Sequence, residues 1–315
     1  MTAVSFTFKS INGTETEIFA MKWSPEARQK PKAAVQLAHG YAEHIGRYDV
    51  FAGKLAEAGI VVYGNDHRGH GKTGGNIGEA ICFADEAGFD KVVADMRALT
   101  EIIQTENPDI PLFLFGHSMG SMLTRRYIQL YGEDLSGAVL SGSGVFSNVL
   151  LKSGTVVAVS EIKRNGRAHP SRLLDKLVFQ NFNRGFKPAR TDLDWLSRDP
   201  VEVDKFLADP LRGKIGSAGY FHDFFSGLLA MNDSANIRLT PKGLPLHFIS
   251  GTADPVGGKA GKGVVQTCRD YQHAGLQDVS YKLYDGARHE LLNETNKDEV
   301  AQDIIEWIFA RLESL

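Results

Sequence analysis

The chain has 315 residues, of which 43% are hydrophobic and 23% are charged, and its formal net charge is −3. This balance is ordinary for a globular protein and lacks the basic surplus that phosphate binding needs, so we expect no nucleic-acid partner. Two cysteines exclude a disulfide framework, and no run of ~18 apolar residues that would span a membrane is present.

Short apolar runs alternate with amphipathic stretches over the first half of the chain. An opening hairpin is predicted at residues 5–23, with Asn12 and Gly13 in its turn. The later apolar runs have the length of strands, and the stretches between them have helical spacing. The predicted strands are residues 33–38, 60–63, 111–115 and 137–140, and the predicted helices are residues 48–58, 84–105 and 119–131. Continuous apolar strands favour a parallel sheet that is covered on both faces.

The stretch from residue 146 to residue 236 interrupts this alternation, because it contains several amphipathic helical pieces and no clear strand. The alternation then resumes, with predicted strands at residues 244–249 and 279–284 and predicted helices at residues 263–271 and 298–312. We therefore predict an α/β fold with a mostly parallel central sheet and helices on both faces. Residues 1–145 and 237–315 form its core, and residues 146–236 are predicted to be an inserted helical cap over the carboxyl edge of the sheet.

The most informative motif is Gly-His-Ser-Met-Gly at residues 116–120, which fits the G-x-S-x-G nucleophile elbow. It stands between a predicted strand and a predicted helix, and a sharp turn of this kind pushes the serine hydroxyl out at the edge of the sheet. An incidental serine in an ordinary turn is the competing interpretation. Because no other serine of the chain fits the pattern, we predict Ser118 as a nucleophile.

A serine nucleophile needs a base, and in this arrangement the order along the chain is serine, acid, histidine. His289 follows the predicted strand 279–284 in a loop, which is where parallel sheets place their chemistry. The other histidines after Ser118 fall in the predicted cap, in a strand or in a helix. Asp254 follows the strand 244–249 in the same way. We predict His289 as the base and Asp254 as its acid, with Asp285 as the second candidate for the acid.

The oxyanion of the reaction intermediate needs two backbone N–H donors. The amide of Met119 lies at the amino end of a predicted helix, where the helix dipole favours an anion. The second donor should come from the loop after the strand 33–38, where Gly40 lets the backbone turn. We therefore predict the N–H groups of Tyr41 and Met119 as the oxyanion hole.

Five motifs spread along the chain carry a family resemblance. They are HGYAEHIGRY at 39–48, DHRGHG at 66–71, GHSMG at 116–120, GTAD at 251–254 and GARH at 286–289. Together they resemble the monoacylglycerol lipase and lysophospholipase branch of the α/β-hydrolases, a serine aminopeptidase S33-like family, over nearly the whole chain outside the predicted cap. The resemblance implies a triad of Ser118, Asp254 and His289, with oxyanion donors from Tyr41 and Met119.

These residues predict a serine hydrolase that cleaves a small-molecule acyl ester through an acyl-enzyme, without a cofactor. The resemblance implies a substrate of the monoacylglycerol or lysophospholipid type. One alternative is an aminopeptidase of the proline iminopeptidase type, which needs an acidic group, most simply in the cap, to hold a free amino terminus. Another alternative is a non-catalytic small-molecule receptor on the same fold. The amino terminus lacks a signal-peptide pattern, so we expect a cytoplasmic protein with at most peripheral membrane contact. The sequence leaves the oligomeric state open.

The predicted cap contains an aromatic and aliphatic run that could line an acyl pocket, because it has more apolar groups than one helical face hides. The candidates for substrate contact are Phe221, Phe224, Phe225 and Leu228. Core packing is the competing role, and we expect it for most of this run.

Four histidines, at positions 39, 44, 67 and 70, are close together in the sequence. Their spacing matches no zinc pattern, and no set of cysteine or glutamate partners accompanies them. We therefore predict no metal site.

Overall fold

An eight-stranded sheet forms the centre of the protein in the computed structural model, which describes residues 1–10, 16–26, 30–74, 80–213 and 215–313. Its strands are β1 (Thr2–Lys9), β2 (Glu17–Ser24), β3 (Ala33–Ala38), β4 (Ile60–Asn65), β5 (Leu112–His117), β6 (Gly137–Ser141), β7 (Leu246–Gly251) and β8 (Val279–Tyr284). The spatial order is β1-β2-β4-β3-β5-β6-β7-β8. The pairings of β1 with β2 and of β2 with β4 are antiparallel, and the other five pairs are parallel. The prediction of a mostly parallel sheet is confirmed, although the predicted turn at residues 12–13 lies outside the described residues.

Helices cover both faces of the sheet, as its continuous apolar strands predict. Along β3, Ala34 and Ala38 face one hydrophobic cluster, while Val35 and Leu37 face the other. Side chains alternate between the two faces of a strand, so each strand needs an apolar partner on both sides. The helices among the described residues are α1 (Asp49–Glu57), α2 (Gly88–Glu106), α3 (Met119–Tyr131), α4 (Asn148–Asn165), α5 (Arg172–Phe179), α6 (Pro200–Ala208), α7 (Ala218–Asn232), α8 (Ser234–Ile237), α9 (Lys262–His273) and α10 (Lys297–Leu312). One face is covered by α1 and α10, and the other chiefly by α2, α3 and α9.

Helix α2 begins four residues later than its periodicity predicts. Ala87 has a left-handed conformation, with φ 48° and ψ 36°, which a right-handed helix cannot contain. Gly88 then starts the helix in a tight place, because a Cβ there would lie 2.5 Å from both Phe83 Cβ and Asp223 Oδ2. Packing against the rest of the chain, which the local pattern does not report, sets this boundary.

Residues 146–236, called the inserted segment below, contain α4 to α7 and most of α8 and lie between β6 and β7. Its described residues add no strand to the central sheet. Helix α7 packs against α2, α3 and α4, so it joins the segment to the layer of helices on one face of the sheet. No helix in the described ranges is both long enough and apolar enough to span a membrane.

Candidate active site

Ser118 lies in the turn between β5 and α3, with φ 52° and ψ −118°. A non-glycine residue rarely adopts a positive φ, and here the surrounding backbone holds it in place. The Ser118 N–H donates to the Ser141 carbonyl at 2.8 Å, and the Ser118 carbonyl accepts from the N–H and the hydroxyl of Ser121 at 2.9 and 2.6 Å. The Ser118 hydroxyl itself has no hydrogen-bond partner among the described residues. The backbone therefore fixes the residue and leaves its side chain available.

The two glycines that flank Ser118 meet a packing requirement. A Cβ on Gly120 would lie 2.0 Å from the Ala38 carbonyl oxygen at the end of β3. A Cβ on Gly116 would lie 2.4 Å from Thr124 Oγ1. Any larger residue at either position would push α3 away from the sheet. The glycines thus allow α3 to start directly against the strand ends.

His289 and Asp254 form a buried pair. His289 Nδ1 lies 2.9 Å from Asp254 Oδ2, and the side chains are 2% and 0% exposed. The Val256 N–H donates to the other carboxylate oxygen at 2.8 Å. Because a carboxylate only accepts, the proton of the neutral imidazole lies on Nδ1, which leaves Nε2 as the basic nitrogen. Asp285, the second candidate for the acid, is exposed and accepts from the Thr252 hydroxyl at 3.3 Å.

The His289 ring contacts two other rings and faces the same cavity as Ser118. Its centroid lies 4.9 Å from that of Trp195 and 4.8 Å from that of His117. The contacts found among the described residues include no hydrogen bond between Ser118 and His289. Such bonds between catalytic groups are often long before a substrate binds.

The charges around His289 decide the pH range in which it can accept a proton. Burial lowers the pKa of His289, but the charge and the hydrogen bond of Asp254 raise it. Glu290 and Glu43 add to this effect, and the net pKa is above the ordinary 6.5. The imidazole is therefore protonated, and inactive as a base, at pH values at which an ordinary histidine is still neutral.

We expect kcat/KM for an ester substrate to fall as the pH decreases through this raised pKa, with an acid limb centred above pH 6.5. The measurement is the initial rate on a p-nitrophenyl ester across a pH series, with the product read at one fixed alkaline pH. Thermal denaturation at each pH is the control for unfolding. An acid limb centred clearly below pH 6.5 would contradict the pairing of a catalytic His289 with Asp254.

The loop after β3 lies against Ser118. A Cβ on Gly40 would be 3.3 Å from Ser118 Cβ, and Ala42 turns the loop with a positive φ of 59°. Neither the Tyr41 amide nor the Met119 amide donates to an acceptor in the part of the chain that the structure describes. Met119 directly follows Ser118 in the chain, and the loop that carries Tyr41 lies against Ser118. Both predicted oxyanion donors are therefore near the serine, and their N–H groups are free to bind another acceptor.

A buried ionic cluster beside this loop was not predicted from the sequence. The Arg47 guanidinium donates to both oxygens of Glu290, at 2.9 and 2.8 Å, and to Glu43 at 2.5 Å. Glu43 also accepts from the Gly40 N–H at 2.5 Å and from the Tyr48 hydroxyl at 2.8 Å. Burial disfavours the charge on both carboxylates, but Arg47 offsets it and holds the pKa of each below its ordinary value. The cluster joins the loop after β3 to the loop after β8.

A cavity of about 540 Å³ opens beside Ser118 and His289. The inserted segment supplies much of its wall, from α5, α6 and the loops around them. The apolar side chains of the wall are Tyr41, Ala42, Phe179, Leu193, Trp195, Leu196, Phe206 and Leu207. The polar groups from the inserted segment include Asp175, Asn183, Asp192 and Arg212. The lining is therefore mixed, with apolar side chains beside charged and polar groups, and a concave site of this size is typical of small-molecule binding.

The four candidates for acyl contact on α7 do not line this cavity. They are buried in the hydrophobic core, where Phe224 stacks on Tyr220 with ring centroids 5.6 Å apart and lies 6.2 Å from Phe89 of α2. The competing role, core packing, describes these four side chains, because α7 is enclosed by α2, α3 and α4 and more than one of its faces is hidden. The side chains concerned are Phe221, Phe224, Phe225 and Leu228.

Three of the four clustered histidines meet in space. The ring of His39 lies 4.2 Å from that of His67 and 5.3 Å from that of His70, measured between centroids. Burial lowers the pKa of all three, that of His70 to about 4, so the rings are neutral near pH 7. His44 instead pairs with Asp209 at 2.8 Å. Within the described ranges, no group of histidine, cysteine, aspartate and glutamate side chains could hold a metal ion.

Residues 29–296 match the model of the family described as serine aminopeptidase, S33. The chain is 32% identical over 292 residues to a monoacylglycerol lipase of Mycolicibacterium smegmatis, and the aligned region covers 92% of each protein. It is 30% identical over 304 residues to a monoglyceride lipase of Mus musculus, and the aligned region covers 96% of this chain and 90% of the relative.

Two solved structures, of an esterase and a lipase, also resemble this chain. A thermostable carboxyl esterase from Bacillus coagulans, in complex with glycerol, superposes with a TM-score of 0.87 at 30% identity over 99% of both chains. A lipase in an open form superposes with a TM-score of 0.85 at 26% identity, again over 99% of both chains. The predicted α/β-hydrolase fold is confirmed over the full length of the match.

Proposed function

The chain belongs to the serine aminopeptidase S33 family and is a serine carboxylester hydrolase, and from this premise we propose that it hydrolyses monoacylglycerols or related single-chain acyl esters. Ser118 is the proposed nucleophile, His289 the base and Asp254 its acid. The observation that carries the proposal is that Ser118 and His289, which is paired with Asp254, line one cavity of about 540 Å³ that also has apolar side chains in its wall. The names of the two relatives above support the class of substrate.

In the proposed reaction, His289 Nε2 takes the proton of the Ser118 hydroxyl while Ser118 Oγ attacks the ester carbonyl carbon. The negative charge on the carbonyl oxygen is stabilised by the N–H groups of Tyr41 and Met119. The alcohol then leaves with the proton from His289, and an acyl group stays on Ser118. A water molecule, deprotonated by the same imidazole, releases the fatty acid.

The inserted segment is the proposed cap. It provides Phe179, Trp195 and Phe206 to the cavity wall, so an acyl chain would lie between the sheet edge and α5 to α6. An aminopeptidase would need a carboxylate here, and Asp175 and Asp192 are available. The relatives and structural neighbours named above are nevertheless lipases and esterases, so an ester is the proposed substrate.

Catalytic efficiency is expected to rise with acyl length over the first few carbons and then to reach a plateau when the cavity is full. Each buried CH₂ contributes up to ~0.8 kcal/mol, or roughly fourfold in kcat/KM. The measurement is a series of p-nitrophenyl esters of increasing length, used below their micelle-forming concentrations. A flat or falling profile from acetate onward would reject the proposed substrate class in favour of a short-chain ester or a peptide.

Two phenylalanines provide a matched pair for this series. Phe179 is on the cavity wall and stacks on Tyr41 with centroids 5.1 Å apart, whereas Phe224 is in the core. Phe179→Ala should lower kcat/KM for the longer esters by about tenfold while sparing acetate. Phe224→Ala should keep the shape of the profile but lower the free energy of unfolding by about 3–5 kcal/mol.

A further inference from the structure

His39 stands at the end of β3 with both ring nitrogens bonded to the backbone. Its Nδ1 lies 2.8 Å from the Gly40 carbonyl oxygen, and the His67 N–H points at its Nε2 from 2.9 Å. A carbonyl oxygen only accepts a hydrogen bond and a backbone N–H only donates one. The ring therefore carries its proton on Nδ1 and none on Nε2. Burial and the neighbouring His70 lower the pKa of His39 far below 6.5, which agrees with this single neutral form.

The peptide group between Gly40 and Tyr41 is planar and trans, so its C=O and its N–H point in opposite directions. A donor that holds the Gly40 carbonyl therefore also sets the direction of the Tyr41 N–H. Glycine would otherwise allow this peptide group to rotate, because it restricts the backbone less than any other residue. Glu43 holds the preceding amide of Gly40 at 2.5 Å, so the glycine is bonded on both sides.

We propose that His39 is a positioning residue, whose Nδ1–H holds the Gly40 carbonyl and thereby aims the Tyr41 N–H at the oxygen of the ester carbonyl under attack. The proposal rests on the proposed role of Ser118. Gly40 lies against Ser118, with 3.3 Å between the serine Cβ and a Cβ built on the glycine, so the peptide group is next to the nucleophile. The Tyr41 N–H has no other acceptor in the described part of the chain. His39 itself contacts no substrate in this scheme and acts only through the peptide group.

Two conservative substitutions separate the two hydrogen bonds of His39. In His39→Asn the amide nitrogen takes the place of Nδ1, so it can donate to Gly40, but nothing accepts from the His67 N–H. In His39→Gln the amide oxygen takes the place of Nε2, so it can accept from the His67 N–H, but nothing donates to Gly40. Each variant loses one buried hydrogen bond, and their losses of stability should therefore be similar.

His39→Gln should lower kcat by about 100-fold with little change in KM, the size of effect seen when one oxyanion donor is misplaced or lost. His39→Asn should keep kcat within about fivefold of the parent protein, because its donor remains. The affinity for an alkyl boronic acid, which forms a tetrahedral adduct with the serine, should fall in parallel with kcat. The affinity for an alkyl glycerol ether, which resembles the ground state, should be unchanged in both variants.

Thermal denaturation of both variants and the kinetics of His247→Gln provide the controls. His247 is also buried and bonded, to Ser280 at 2.9 Å, but lies in β7 and lines none of the cavity, so this variant should keep the parent kcat. Equal losses of kcat in His39→Asn and His39→Gln, or a normal kcat in a folded His39→Gln, would overturn the proposal. If His39→Gln does not fold, His39→Asn decides alone, since a loss of kcat above about tenfold overturns the proposal and a smaller one supports it. Failure of the proposed function itself would be seen separately, as activity that survives removal of the Ser118 hydroxyl.

Discussion

Ser118→Ala is expected to lower ester hydrolysis by about four to six orders of magnitude while the protein keeps its fold. The loss is large because the hydroxyl oxygen forms the bond to the acyl group, and no other group of the site replaces it. The fold should survive because the backbone of Ser118 makes the hydrogen bonds to Ser141 and Ser121, whereas its hydroxyl has no partner among the described residues. The measurements are steady-state rates on a p-nitrophenyl ester and thermal denaturation.

Ser143→Ala is the matched control for this experiment. Ser143 is buried just after β6, and its hydroxyl likewise has no hydrogen-bond partner in the described structure. Its removal should leave kcat close to that of the parent protein. Labelling by a fluorophosphonate probe should be lost only in Ser118→Ala, and near-normal turnover in a clean preparation of that variant would end the assignment of the nucleophile.

Asp254→Asn is expected to lower kcat by about 10⁴-fold. The amide would donate its N–H toward His289 Nδ1, at the position where the carboxylate now accepts at 2.9 Å. This favours the tautomer with its proton on Nε2, so the nitrogen that should take the serine proton is already occupied. The substitution also removes the negative charge that raises the pKa of His289.

Asp285→Asn is the matched change at the competing acid. Asp285 is exposed, and its carboxylate is bonded to Thr252 at 3.3 Å, so its conversion to asparagine should alter kcat by less than about threefold. Comparison of the two kcat values at pH 8, with circular dichroism to check the fold, decides between the acids. A greater loss in Asp285→Asn than in Asp254→Asn would show that the acid has been assigned to the wrong residue.

The sheet was predictable because its information is local. An apolar run such as residues 112–115 is buried on both faces. The GHSMG motif directly after it needs its glycines because a helix that starts against a strand leaves no room there for a side chain. Asp254 and His289 could be proposed from their places after two strands, since parallel strands end at a common edge. The roles of these residues remain predictions that the substitutions above test.

The parts that escaped prediction depend on contacts between distant segments. Arg47 bonds to Glu290, 243 residues away, and the only local sign of this cluster is the i, i+4 spacing of Glu43 and Arg47 within one motif. Phe224 was a candidate for the pocket because its helix carries more apolar groups than one face can hide, but three helices enclose that helix. Periodicity reports how many apolar side chains a helix carries and does not report how many neighbours surround it.

The inserted segment leaves the sheet after β6 and returns before β7, and these two strands are parallel neighbours. The exit from β6 and the entry into β7 therefore lie at opposite edges of the sheet, and the inserted segment is part of the crossover connection that joins them. The entropy cost of closing a longer or shorter connection changes only slowly with its length. Ser118, Asp254 and His289 all lie outside this segment. Mutations that reshape the cavity wall can accumulate there without altering the register of the sheet, so under the proposed function the range of accepted acyl groups and the bond-breaking chemistry can evolve as separate modules of one chain.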